Sequence, residues 1–168
     1  LLATLGSYAQ SSPNEYYGVQ ERSKEMAFID EFEDNRNDWP LGSYYLNETM
    51  VGGEYKCESR ASHTYSKTQQ VAMDIAGDFE AEVRLRLARG RTSTDFLGLT
   101  FGRDAQGNEF SFVINPDMTF QVYEYQQGRR YSLVSWTSAP ALRLKHGYHR
   151  LTIRATQDTW YFFINKEY

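Results

Sequence analysis

Residues 94–136, TDFLGLTFGRDAQGNEFSFVINPDMTFQVYEYQQGRRYSLVSW, constrain the fold of this chain more than any other stretch. Apolar and aromatic runs at 96–103, 109–115, 119–126 and 129–136 are separated by Asp104-Ala105-Gln106-Gly107, by Pro116-Asp117 and by Gln127-Gly128. β-Branched and aromatic side chains suit a pleated, half-buried surface, while Gly, Asp, Asn and Pro supply tight-turn geometry. The stretch therefore predicts a four-stranded antiparallel meander. It contains no nucleophile elbow, no phosphate-cradling glycine loop and no cysteine nucleophile.

The segment DFEAEVRLRLA at 78–88 adds the clearest alternation in the chain. Phe79, Ala81, Val83, Leu85 and Leu87 fall on one face, and Glu80, Glu82, Arg84 and Arg86 on the other. A period of two predicts a strand with one buried face and one face that is wet or borders a groove. Further strands are expected at 27–33, where Phe28 and Phe32 would share a face, and at 53–59, 148–156 and 159–165. Residues 71–75 lead through Gly77 into the 78–88 strand, and 60–70 stay open between a loop and a helical turn. Two strands are apolar on both sides: Phe120 and Val122 oppose Tyr123 and Tyr125, and Trp160, Phe162 and Ile164 oppose Tyr161 and Phe163. Such strands are either sandwiched between layers or line a groove. One all-β domain would fill the 168 residues.

The opening LLATLGSYA has the apolar run and the small residues, Ser7 and Ala9, that end a secretory signal peptide. Residues 1–9 are then a leader remnant cut before Gln10, 10–26 a polar linker and 27–168 the domain, in an exported protein. The turn at Asn165-Lys166-Glu167 opens toward a further strand. The expectation is an incomplete sheet, fused to other domains in a longer protein. No other stretch approaches the length of a membrane span.

Charge narrows the partners. The net charge of −4 argues against general affinity for nucleic acid. Its distribution is uneven: residues 1–80 carry 14 acidic and 6 basic side chains, and residues 81–168 carry 8 and 12. Arginine dominates the second half, either as solvated outward positions or as a basic face for an acidic glycan or partner. Cys57 cannot form an internal disulfide and, in the alternating stretch GEYKCES, reads as a small buried thiol.

Four segments carry a family resemblance: FIDEFEDNRNDWP, DFEAEVRLRL, FLGLTFGRDAQGNEFSFVIN and GYHRLTIRATQDTWYFFIN. Together they resemble the concanavalin A-like lectin/glucanase jelly-roll superfamily, particularly its bacterial laminin-G-like and 3-keto-disaccharide hydrolase-like members. The resemblance implies an antiparallel two-sheet β-sandwich, a jelly roll, whose C-terminal strands are missing here. It also implies a saccharide-related setting, without choosing among lectins, glycosidases, adhesion modules and spacers.

Within that setting, Asp78, Glu80 and Glu82 share a strand face, as the catalytic carboxylates of jelly-roll glucanases do. The same alternation of Glu and Arg is equally the pattern of cross-strand charge pairing. Asp34, Asn35, Asn37 and Asp38 offer hard oxygen donors for a structural calcium, although Asx-rich loops also form turns without an ion. His146 and His149 supply half of a zinc site with no third ligand nearby. Tyr123, Tyr125, Tyr131 and Trp136 with Arg129 and Arg130 could stack on sugar rings and hold their hydroxyls, or serve as second-face packing. The functional expectation is a non-catalytic carbohydrate- or protein-binding module of an exported bacterial protein. The alternative is a glycoside hydrolase-like domain acting through Glu80 and Glu82.

Overall fold

The structure, a computed structural model, describes residues 2–5, 14–42, 46–59, 69, 71, 76–87, 94–142, 147–156 and 159–168. Among them there is no α-helix. Eleven strands form in the order β1 (Leu2–Leu5), β2 (Glu25–Ile29), β3 (Leu46–Met50), β4 (Tyr55–Ser59), β5 (Phe79–Leu85), β6 (Leu97–Phe101), β7 (Glu109–Ile114), β8 (Thr119–Gln126), β9 (Arg129–Ser138), β10 (His149–Thr156) and β11 (Thr159–Ile164). Every pairing is antiparallel.

The central meander forms as its turn chemistry dictates. The Asp104 carboxylate accepts the Gln106 and Asn108 backbone N–H groups at 2.9 and 2.8 Å, and Gly107 takes a φ of 80°. Asn115 closes the next turn by accepting the Asp117 and Thr119 N–H groups. Gln127 and Gly128 have φ of 49° and 75°, the double positive φ that matches a two-residue hairpin to the twist of its strands. The result is a sheet ordered β6-β7-β8-β9. Where β6 crosses β7, a Cβ on residue 98 would stand 2.7 Å from Val113 Cα, so only glycine fits.

A second sheet runs β11-β10-β5-β1-β2. Phe79 and Ala81 of β5 and Leu151, Ile153 and Ala155 of β10 turn inward, as the alternation predicts. They meet Phe112, Ile114 and Val122 of the meander sheet, with Trp160 and Phe162 packed against the cluster. Two antiparallel sheets thus face each other across one apolar core. Each large side chain removed from water there contributes about 1.5–3 kcal/mol. The β3–β4 hairpin is separate and was not anticipated over residues 46–50.

Several expectations are corrected. The strand foreseen at 27–33 stops at Ile29, because Asp30 accepts the Phe32 N–H at 2.8 Å and turns the chain. Phe32 then has a φ of 57°, so it does not share a strand face with Phe28. Cys57 is exposed rather than buried. Residues 16–18 and 21–23 form 3₁₀ turns, and this segment lies across the outer face of the five-stranded sheet instead of trailing loosely. Leu2–Leu5, the apolar run of the leader-like opening, pairs between β5 and β2. The lead-in at 71–75 and the open stretch at 60–70 lie almost wholly outside the described residues, and His146 lies outside them.

Candidate functional site

On the polar face of β5, Glu80 is buried and Glu82 half-buried, and the cause lies on the neighbouring strand and in the segment laid over both. Register sets Arg154 of β10 opposite Glu80 and Thr152 opposite Glu82. Arg154 Nε donates to Glu80 Oε2 at 2.8 Å, and its two terminal nitrogens donate to the Glu15 and Tyr16 carbonyls at 2.8 and 2.7 Å. Its guanidinium lies 4.9 Å from the centre of the Phe163 ring, and its side chain is 0% exposed. Lys24 reaches Glu80 Oε1 at 2.8 Å and Glu21 at 2.6 Å. Glu82 accepts the Tyr16 hydroxyl at 2.6 Å and Thr152 Oγ1 at 2.9 Å, with Arg150 at 3.3 Å.

This arrangement ties residues 15–24 to the sheet as a strap. Burial raises the Tyr16 hydroxyl to about 12, with the Glu82 carboxylate adding to the effect. Burial works against the charge on Lys24, but hydrogen bonds to Glu21 and Glu80 outweigh it and hold its pKa above the usual lysine value. Both oxygens of Glu80 are engaged by cations. Glu80 and Glu82 therefore form a cross-strand ionic network. An exposed carboxylate pair flanking a sugar, as hydrolysis requires, is not what they present. Asp78 stands apart from the pair at the start of the strand, with Thr156 Oγ1 at 3.4 Å.

The aromatic candidates on the other sheet divide. Tyr123 stands opposite Ser132, Glu124 opposite Tyr131, Tyr125 opposite Arg130 and Gln126 opposite Arg129. Alternation puts Tyr123, Tyr125 and Arg130 on one face of the hairpin and Arg129 and Tyr131 on the other. Tyr123 is only 8% exposed, and the Arg130 guanidinium covers its ring at 3.8 Å while also bonding Gln121. Tyr123 is thus a floor and not a free stacking surface. Tyr125, Tyr131 and Trp136 remain 40%, 46% and 39% exposed. Among the described residues β9 pairs only with β8, so its far edge is open, and nine of its ten residues are exposed.

The Asx-rich loop spends its donors on itself. Asn35 brackets the Trp39 backbone, accepting its N–H at 2.8 Å and donating to its carbonyl at 3.0 Å. Asn37 and the Trp39 indole both donate to Asp30 Oδ2, at 2.7 and 2.6 Å. Burial would raise the Asp30 carboxyl, but bonds from Asn37, the Phe32 N–H and Trp39 hold it below the usual range. Asp34 is paired with Arg36 at 2.7 Å, and Asp38 has a φ of 54°. Asp34, Asn35 and Asn37 are thereby each engaged with partners inside residues 30–39. Among the described residues no group of three His, Cys, Asp or Glu side chains could hold a metal ion. His149 is buried in the fold, with Asn165 Nδ2 3.3 Å from its ring nitrogen.

Sequence reasoning missed Arg154, Tyr16, Lys24 and Asp30 as organising residues. The one available signal was the outward position of Arg154 on a strand beside β5, which an antiparallel register could set opposite Glu80. No family model, curated protein or solved structure matches this chain.

Proposed function

We propose that the chain is a non-catalytic recognition module of an exported protein, built on the concanavalin A-like jelly-roll plan, that binds a saccharide along the free edge of β9. One observation carries the reading: the carboxylates that catalysis would need are locked under the strap, whereas the hairpin aromatics stand open. Because β9 is outermost in its sheet, a sugar chain along its edge reaches Tyr125 and Arg130 from one face and Tyr131 and Arg129 from the other. Trp136 extends the same path. Aromatic rings suit the apolar C–H faces of sugars, and guanidinium groups suit their hydroxyl edges. Export rests on the leader-like opening alone, and the jelly-roll assignment on the sequence resemblance together with the two facing sheets.

Retention on a polysaccharide array tests this. Wild type is expected to bind at least one polysaccharide, and Tyr125→Ala/Trp136→Ala to lose about tenfold or more, since each stacked ring contributes about 1 kcal/mol. Both residues are exposed, so the melting temperature should not change. Equal retention by the double variant overturns the site. Release of reducing ends that disappears in Glu80→Gln overturns the non-catalytic assignment.

A further inference from the structure

The outer face of the five-stranded sheet has a second region, bordering the strap at Arg150, where charge is arranged against its own stability. Register places Arg150 of β10 directly opposite Arg84 of β5. Like charges in that position destabilise a strand pair by up to about 1 kcal/mol. Arg86 follows two residues along the same face. The guanidinium carbons of Arg84 and Arg86 lie 5.5 and 4.8 Å from the centre of one ring, that of Tyr148, which is itself exposed.

Neighbouring acids do not balance the group. Glu82 is 3.3 Å from Arg150 but already accepts from Tyr16 and Thr152. Glu54 is 3.1 Å from Arg86 and shares itself with Lys56 at the same distance. Arg84 is exposed, and among the described residues no carboxylate lies within 4 Å of its guanidinium. Two cations on one ring, with a third across the strand, leave a surplus of fixed fork-shaped donors. Guanidinium groups bind planar carboxylate and sulfate oxygens through paired N–H donors, more strongly than neutral partners do.

We propose that Arg84, Arg86 and Arg150 around Tyr148 form a binding site for an oxyanion, a carboxylate or a sulfate ester, borne on an acidic polysaccharide. The oxyanion follows from the cluster itself; its sugar carrier rests on the recognition function proposed above. The patch is short and bordered by Glu54 and Glu82, which suits an isolated anionic substituent better than a continuous phosphate backbone. Tyr148 gathers Arg84 and Arg86 at one ring, so this part of the site is formed before the ligand arrives.

Calorimetric titration of the whole chain at low salt with oligogalacturonate, sulfated dextran, neutral dextran and poly-glutamate tests the proposal. At least one anionic polysaccharide is expected to bind about tenfold or more tightly than neutral dextran, the size of a charge-assisted contact. Preference for oligogalacturonate identifies a carboxylate and preference for sulfated dextran a sulfate ester. Arg84→Glu should abolish that difference and raise the melting temperature, because residue 84 would then oppose Arg150 with the complementary charge. Arg103→Ala removes an exposed arginine at the end of β6, on the other sheet, and should leave that binding difference unchanged.

The proposal falls if neutral dextran binds equally, if poly-glutamate binds tightest, if Arg84→Glu binds as wild type, or if Arg103→Ala loses as much. The two sites fail separately. Anion binding that needs Arg84 but survives Tyr125→Ala/Trp136→Ala upholds this site whatever becomes of the β9 edge.

Discussion

The two sheets present opposite outer surfaces. On the five-stranded sheet, residues 15–24 lie over β5 and β10, and the cover is held by Arg154, Glu80, Lys24, Glu82 and Tyr16. On the meander sheet, β9 is bare along its edge, with cation–π contacts from Arg130 to the buried Tyr123 and to Phe96. Both surfaces come from strands with charged or aromatic residues on the face away from the core. The difference is a covering segment. Where one exists, charge becomes internal structure; where none does, aromatic side chains stay available to a ligand.

The largest effect that could break this contrast is at Arg154. Arg154→Met leaves Glu80 buried with only Lys24, and removing one partner of a buried pair costs about 3–5 kcal/mol. Arg154→Met/Glu80→Leu should recover much of that loss in urea denaturation, because no uncompensated carboxylate remains. A single-variant cost below about 1 kcal/mol would mean that the strap does not depend on this pair.

A smaller effect is expected at Tyr16. Losing a hydrogen bond to a charged group costs about 1.5 kcal/mol or more in Tyr16→Phe. The folded chain holds this phenol at about 12 against an ordinary 10.0, so its contribution is complete below pH 10 and fades as pH rises toward 12. The raised Lys24 acts in the same direction. Thermal melts from pH 9 to 12 should therefore show a steep decline for wild type and a shallower one for Tyr16→Phe; identical slopes would remove Tyr16 from the network.

The smallest effect is on the open sheet. Arg130→Ala loses a partly exposed cation–π contact, worth about 0.5–1 kcal/mol, together with its bond to Gln121. Destabilisation as large as that of Arg154→Met would erase the distinction between the two surfaces.

By itself the sequence determined the all-β class, the meander with its three turns, and the inward positions of Phe79, Ala81, Leu151 and Ile153. These are set locally: period-two alternation and turn residues such as Asp104, Gly107, Asn115 and Gly128 act within a few positions of themselves. Hidden from it were the end of β2 at Asp30, the burial of Glu80 and the opposition of Arg84 to Arg150. The first depends on side chains from Asn37 and Trp39, the second on a strap more than 50 residues away, and the third on the register between β5 and β10. Alternation says which residues share a face of a strand. Only the tertiary structure decides whether that face meets water, a covering segment or a like charge on the next strand, because register and cover are set by contacts between distant parts of the chain.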